Sequence, residues 1–156
     1  MSRLDLVIVL AAGEGTRMKS SLPKVLHEIS GKSILEHVIT QVTKVESKEL
    51  RVVIGAGSQE VSQALSKFSK SAKTVLQEVR RGTGDAVRIA LSDSPKTGTL
   101  LVCAGDTPLL RSETLESLYE SHNKSGAVAT VLTAELPDPF GYGRIIKSNG
   151  ELISIV

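Results

Sequence analysis

Apolar residues are arranged along the chain as short continuous runs that alternate with longer stretches of helical spacing. Each continuous run is followed within a few residues by a glycine, which is typical of strands buried on both faces of a sheet. The predicted strands of this kind are residues 4–10, 50–54, 74–77 and 99–104. The chain therefore begins as a series of buried strands.

Helices are predicted between these strands, because apolar residues there recur every three or four positions. The first has a capping-box pattern, Ser33 followed by Glu36 three residues later. Ser58 and Ser112 are predicted to cap the second and fourth helices. The predicted helices are residues 33–46, 58–68, 86–91 and 113–124.

The pattern changes after the fourth helix. Residues 127–136 are predicted to form a fifth, long strand. Residues 144–147 and 152–156 are predicted to form a hairpin, because Asn149-Gly150 between them is typical of a type I′ turn. The chain ends within the second strand of this hairpin.

Strands and helices in alternation predict an α/β fold, with a mostly parallel sheet between two layers of helices. In such sheets ligands bind beyond the carboxyl ends of the strands. The glycines after the first strand, Gly82-Thr83-Gly84 and Asp106 all follow strand ends, so we expect them to meet at one edge.

Composition restricts the class of protein. The length of 156 residues suits one domain, and 19 basic against 17 acidic residues give a net charge of only +2. This balance argues against nucleic acid or a membrane surface as a partner. No stretch approaches the ~20 apolar residues of a membrane span. The single cysteine, Cys103, is expected in a buried strand. A cytoplasmic protein is therefore predicted.

The most informative stretch follows the first strand. It reads Leu10-Ala11-Ala12-Gly13-Glu14-Gly15-Thr16-Arg17-Met18, with Pro23-Lys24 beyond it. Glycines allow close backbone approach to an anion, and Arg17 and Lys24 add two cations, so a polyphosphate site is predicted.

Two familiar phosphate-binding motifs are excluded. Met18 stands where the dinucleotide-binding fingerprint requires its third glycine. Gly31-Lys32-Ser33 lacks the upstream glycine and strand of a Walker A loop, and is predicted to be a helix entry.

Two polar residues at other strand ends extend this prediction. Asp106 follows the fourth strand in Gly-Asp-x-Pro, where a carboxylate facing phosphates suits Mg²⁺. Gln77 ends the third strand, and its amide is able to pair with a uracil edge. The amide also suits cytosine when flipped, so Gln77 alone does not choose the base.

Together these motifs resemble the signature of the sugar-1-phosphate nucleotidyltransferases. They are most similar to the uridyltransferase domain of the bifunctional N-acetylglucosamine-1-phosphate uridyltransferases/glucosamine-1-phosphate acetyltransferases. The resemblance covers residues 6–156 and rests on the glycine stretch, Pro23-Lys24, Gly82-Thr83, Gly105-Asp106 and residues 141–145. It implies a Rossmann-like nucleotidyltransferase fold.

The resemblance also implies a reaction: Mg²⁺-dependent transfer of UMP from UTP to N-acetylglucosamine-1-phosphate, giving UDP-N-acetylglucosamine and pyrophosphate for cell-wall precursors. Arg17 and Lys24 are expected to be catalytic, on the outer phosphates and the α-phosphate, and Asp106 to bind the metal. The expected nucleotide- and sugar-binding residues are Leu10, Ala11, Ala12, Gly13, Gly15, Thr16, Arg17, Lys24, Gln77, Gly82, Thr83, Ala104, Gly105, Asp106 and Gly143.

Three residues differ from the usual pattern of that family. Asp85 replaces a common His, Arg80 a second Gln, and Ala104 a larger residue, often Tyr. The chain is also expected to stop short of the domain's end, before the sugar-binding Glu and the second metal ligand, and it has no β-helix repeats. We therefore expect it to bind nucleotide with little turnover, and to self-associate through its exposed last strand.

Several alternatives stay open at this stage. Within the family they are glucose-1-phosphate, cytidylyl and molybdopterin-guanylyl transferases. Outside it, the alternative is a nucleotide-binding regulatory module without turnover.

Overall fold

The computed structural model describes residues 4–13, 15, 18–94, 97–149 and 151–156. Its centre is a four-stranded, wholly parallel sheet in the order β5–β4–β1–β6. These strands are β1 (Leu6–Ala11), β4 (Leu50–Gly55), β5 (Ala72–Gln77) and β6 (Leu100–Ala104). The parallel sheet predicted from the continuous apolar runs is thus confirmed.

Four helices connect or follow these strands. They are α1 (Ile34–Val42), α2 (Gln59–Phe68), α3 (Thr83–Ala90) and α4 (Ser112–Ser125). The predicted cap of α1 is confirmed, because Ser33 Oγ accepts a hydrogen bond of 3.1 Å from the Glu36 amide. Ser58 precedes α2 without a side-chain capping bond, and Ser112 is the first residue of α4 rather than its cap.

The core has two layers, one on each face of the sheet. On one face, Val7 and Val9 of β1 pack with apolar residues of α1, α2 and α4. On the other face, Leu6 and Ile8 pack with Ala86 and Ala90 of α3. Helices therefore cover both faces, as the α/β/α prediction required. Within the described ranges, no helix combines the length and the apolar character needed to cross a membrane.

Two short hairpins lie outside the central sheet. One joins β2 (Glu28–Ile29) to β3 (Lys32–Ser33), and its two loop residues, Ser30 and Gly31, both have positive φ. The other joins β7 (Ile145–Ser148) to β8 (Glu151–Ile155) and confirms the predicted hairpin. Asn149 has φ +52°, as a type I′ turn requires at that position, and Gly150 lies outside the described residues.

One predicted strand is wrong. Residues 127–136 form no strand and are mostly exposed, although their composition favours β-structure. A strand is stable only when a neighbour pairs with its backbone, and β6 ends the sheet on this side without pairing to them. Thr130 instead meets α4, where its Oγ1 lies 2.9 Å from His122 Nδ1.

Smaller differences concern element ends. β5 begins at Ala72, two residues earlier than predicted, and α3 begins at Thr83, three residues earlier. α1 ends at Val42 rather than at residue 46. Element ends are set by local hydrogen bonds, on which hydrophobic spacing carries little information.

Candidate nucleotide site at the strand ends

The carboxyl ends of the four parallel strands lie at one edge of the sheet, and the described site residues form two groups along it, one around Lys24 and Asp106 and one around Gln77. The loop after β6 is tied to the end of β1 by a hydrogen bond of 2.8 Å from the Gly105 amide to the Leu10 carbonyl. Gly105 is buried there, and a Cβ on it would lie 2.9 Å from that same carbonyl oxygen. The start of the loop after β6 is therefore packed directly against the last residues of β1.

Lys24 and Asp106 meet across this edge. Lys24 Nζ lies 2.7 Å from Asp106 Oδ2, and both side chains keep solvent access, with 38% and 40% of their area exposed. Lys24 begins a 3₁₀ turn, Lys24–Leu26, directly after Pro23. The turn that carries Asp106 is held by a hydrogen bond of 2.9 Å from Thr107 Oγ1 to the Ala104 carbonyl.

Gly15 shows why this loop needs glycine. Its φ is +63°, in the left-handed region that other residues adopt at a cost. A Cβ at Gly15 would also overlap the Cβ of Lys24. The loop thus touches the stem of Lys24 and helps to fix the direction of its ammonium group. Gly13, in contrast, faces open space.

Gln77 lies at the end of β5 and is 3% exposed. Its Nε2 donates to the Gly82 carbonyl at 3.2 Å and to Asp85 Oδ2 at 3.1 Å. Thr83 begins α3 directly after Gly82. The predicted group of Gln77, Gly82 and Thr83 is therefore assembled at one place, between the end of β5 and the start of α3.

Asp85 completes this group. Arg88 donates to Asp85 Oδ1 from Nη2 at 2.6 Å and from Nε at 3.2 Å. These Arg88 bonds, with a smaller effect of the Gln77 amide, hold the pKa of Asp85 below its ordinary value. The carboxyl beside Gln77 is thus an anion near neutral pH.

Arg80 connects the β5 end with the first loop. Its Nε donates to the Ala12 carbonyl at 2.8 Å. Its guanidinium also lies against Gly55 at the end of β4, where a Cβ would be 2.7 Å from Nη2. In the sequence, Arg80 and Asp85 stand out only as departures from the family pattern. Their charge was the available signal of a role, whereas the contact of Asp85 with Gln77 is a feature of the folded structure.

Mg²⁺ is the metal that the resemblance implies, and Asp106 is the residue that would hold it. An accessible carboxylate whose ion-pair partner among the described residues is the Lys24 ammonium suits this ion, which binds one or two carboxylates together with substrate phosphates and waters. Among the described residues, no group of three His, Cys, Asp or Glu side chains is placed to hold a metal. The donor set therefore fits a metal bound jointly with phosphates.

Three predicted residues are not brought to this edge by the described part of the chain. Thr16 and Arg17 lie outside the described residues. Gly143 lies near Ile155 and the Val156 carbonyl of the β7–β8 hairpin. No hydrogen bond or ion pair between described residues links the segment around Gly143 to Lys24, to Asp106 or to Gln77.

A separate cavity of about 650 Å³ lies between β6, α4 and residues 128–132. Its lining is largely apolar and contains no Lys, Arg, Asp or Glu side chain. A polyphosphate requires cationic or N–H donors, so this cavity does not have the chemistry of the predicted site. The strand-end edge remains the candidate.

Comparison with known proteins gives a matching family profile and several curated relatives. A family profile described as the MobA-like NTP transferase domain matches residues 7–147. The chain is 48% identical over 151 residues to the bifunctional protein GlmU of Thermobifida fusca, covering 94% of this chain and 31% of that protein. It is 49% identical to GlmU of Lactococcus lactis subsp. lactis, covering 96% and 32%. The chain thus spans about a third of the length of the curated relatives it matches.

Among solved structures, the chain is similar to HddC from Yersinia pseudotuberculosis. The TM-score is 0.77 with 21% sequence identity, and the match covers 98% of this chain and 69% of that one. At this identity the similarity establishes the fold alone, a Rossmann-like α/β nucleotidyltransferase fold.

Proposed function

The chain belongs to the family of MobA-like NTP transferase domains, and from this membership we propose that it binds UTP and transfers UMP to N-acetylglucosamine-1-phosphate. The products are UDP-N-acetylglucosamine and pyrophosphate, for the synthesis of cell-wall precursors. The observation that carries this choice is the identity of nearly half with proteins named GlmU over almost the whole chain. It supports the same interpretation as the motifs around Gly15, Lys24 and Asp106.

The reaction needs no nucleophilic side chain, because a sugar phosphate is itself an anionic nucleophile. Its phosphate oxygen forms a new P–O bond with the α-phosphorus of UTP. The bond from that phosphorus to the bridging oxygen of the β-phosphate breaks, and pyrophosphate leaves with the electron pair. Catalysis then depends on positioning and on neutralising charge at the phosphates.

Among the described residues, Lys24 is the cation best placed to neutralise charge at the phosphates. Its stem packs against Gly15 and its ammonium group reaches the carboxyl edge of the sheet. On an α-phosphate oxygen, it would stabilise the charge that develops as the two P–O bonds exchange. Arg17, from the same loop, is proposed to bind the outer phosphates. When Mg²⁺ is bound at Asp106, it supplies further charge neutralisation on the phosphates.

The residues at the end of β5 support the proposal that the bound nucleotide carries uridine. Gln77 is buried, oriented by two hydrogen bonds and adjacent to the Gly82-Thr83 turn. A buried amide that is held in this way is able to discriminate between bases, whereas a mobile surface amide adapts to any of them.

Calorimetric titration of the chain with UTP, CTP, GTP and ATP in the presence of Mg²⁺ tests the nucleotide. We expect UTP to bind most tightly, and tightest binding of GTP or CTP would contradict uridylyl transfer. Pyrophosphate release from UTP with N-acetylglucosamine-1-phosphate, compared with glucose-1-phosphate, tests the acceptor. Greater release with glucose-1-phosphate would contradict the proposed sugar.

A further inference from the structure

The side-chain amide of Gln77 has both of its N–H donors committed inside the protein. One N–H points to the Gly82 carbonyl at 3.2 Å and the other to Asp85 Oδ2 at 3.1 Å. Among the described residues, these are the hydrogen bonds of this side chain. Oε1 is therefore the atom that Gln77 offers to a ligand, and this oxygen only accepts hydrogen bonds.

This orientation is fixed by the two acceptors that face the amide, the Gly82 carbonyl and the Asp85 carboxylate. The oxygen and nitrogen of an amide have nearly the same shape, so the amide orientation follows from the hydrogen bonds around it. Flipping Gln77 would turn Oε1 toward the Gly82 carbonyl and an anionic carboxylate, both of which only accept. Such a flip loses two hydrogen bonds at a buried position and adds repulsion.

Asp85 is itself held in place. Arg88 binds its other oxygen, Oδ1, through two donors, so that Oδ2 stays turned toward Gln77. The Asp85 side chain is only 13% exposed, which limits its ability to exchange Gln77 for water. Residue 85 thus forms the middle of a chain of hydrogen bonds from Arg88 to the Gln77 amide.

We propose that Asp85 is a positioning residue that sets base specificity by holding the Gln77 amide with its oxygen toward the base. Uracil carries an N3–H donor, which an accepting oxygen binds. Cytosine carries a bare, accepting N3 at the same place, which the oxygen repels. This inference rests on the proposed function, and it goes further by assigning the choice of pyrimidine to a residue that need not touch the base.

The test compares binding of UMP and CMP to the wild-type chain and to Asp85→Asn by calorimetry. UMP and CMP differ only in the base and carry no outer phosphates, so their affinity ratio reports recognition of the base. In the wild type we expect UMP to bind at least roughly tenfold more tightly than CMP. An Asn amide either donates or accepts, so only the Gly82 carbonyl then still favours the wild-type orientation of Gln77, and the flipped orientation becomes less unfavourable. The ratio should then fall several-fold, mainly because CMP gains affinity.

Glu113→Gln is the matched control, because Glu113 is an exposed acidic residue in the first turn of α4, as Asp85 is in the first turn of α3. It removes one helix-terminal charge without touching Gln77 and should leave the ratio unchanged. Asp85→Ser provides a second variant with a neutral hydroxyl that either donates or accepts. It should lower the ratio as Asp85→Asn does.

The outcomes separate this inference from the function on which it rests. If the wild type binds UMP preferentially and both Asp85 variants keep the wild-type ratio, the role of Asp85 is refuted while uridylyl transfer stands. Equal weakening of UMP and CMP would likewise show that Asp85 only supports the fold. A wild type that binds neither UMP nor UTP overturns both conclusions.

Discussion

Lys24 Nζ and Asp106 Oδ2 lie 2.7 Å apart although 82 residues separate them in the sequence. Each is proposed to bind part of the same substrate, Lys24 the α-phosphate and Asp106 the metal. While they are paired, the two side chains neutralise each other. Binding of a metal at Asp106 would free the ammonium for phosphate, so we expect metal and nucleotide each to strengthen the binding of the other.

Asp106→Asn tests this coupling. Asn keeps the shape of the side chain but lacks the charge that a divalent cation needs, so we expect the Mg²⁺ enhancement of UTP binding to be largely lost. The Mg²⁺ concentration for half-maximal enhancement should rise at least about tenfold. Calorimetric UTP titrations across a series of Mg²⁺ concentrations measure it.

Glu120→Gln is the control for Asp106→Asn, because Glu120 is an exposed carboxylate whose ion pair lies within α4. It should leave the metal dependence of UTP binding unchanged. The same metal dependence in the Asp106→Asn variant as in the wild type would reject Asp106 as the ligand.

Gly15→Ala should displace Lys24. The added Cβ overlaps the Lys24 Cβ, and the φ of +63° is itself unfavourable for alanine by about 1–2 kcal/mol. We expect UTP affinity to fall at least about tenfold, because the ammonium moves away from the α-phosphate. Calorimetry measures the affinity, and urea unfolding measures the change in the free energy of unfolding.

Gly126→Ala is a control that separates the effect of an unfavourable φ from the effect of displacing Lys24. Gly126 caps α4 with the same φ of +63°, and nothing lies within 4 Å of the position that a Cβ would take. This variant should lose a similar free energy of unfolding and keep its UTP affinity. If both variants bind UTP equally well, the contact between Gly15 and Lys24 has no functional role.

The convergence of the site was predictable because it follows from the topology. A run such as residues 6–11 identifies a buried parallel strand, and parallel strands bring their carboxyl ends to one edge. The loop glycines, Gln77 and Asp106 each follow such a run, so their placement along the same edge of the sheet needed no knowledge of side-chain contacts. The spacing of residues along the sequence does not predict the direct pairing of Lys24 with Asp106.

The failures have different physical causes. Residues 127–136 have a strand-like composition, but pairing depends on a neighbour that composition does not identify. The role of Asp85 was missed although its partner Gln77 is only eight positions away in the sequence. An aspartate in the first turn of a helix is explained by the helix dipole alone, until the structure places it beside Gln77.

Cys103 should be unreactive in the folded protein. It lies opposite Val9 of β1, is 6% exposed, and burial raises the pKa of its thiol to about 11. The thiolate is the reactive form, so alkylation by iodoacetamide in mildly alkaline buffer should be at least roughly a hundredfold slower than in urea-unfolded chain. Mass spectrometry over time measures both rates. Similar rates in the two states would show that β6 opens readily.

Acid should weaken the bond between Glu49 and Arg51. Arg51 is 5% exposed, and its Nε and Nη2 donate to the two carboxylate oxygens of Glu49 at 3.0 and 3.2 Å. These bonds, and a weaker effect of Lys73, lower the pKa of Glu49 in the folded state. Because the pKa of Glu49 is lower in the folded chain than in the unfolded chain, its ionised carboxylate stabilises the fold at pH values above the unfolded-state pKa. That stabilisation is lost as the pH falls through the lower, folded value.

Glu49→Gln should therefore lower the free energy of unfolding near neutral pH by about 1–2 kcal/mol, since it leaves a buried guanidinium partly unpaired. The gap between variant and wild type should narrow as the pH falls, because protonation makes the wild-type carboxyl neutral as well. Urea unfolding at a series of pH values measures the gap, and Glu120→Gln, which removes an exposed charge, should change little at any pH. A gap of constant size at every pH would mean that Glu49 stabilises the fold by packing, with no contribution from its charge.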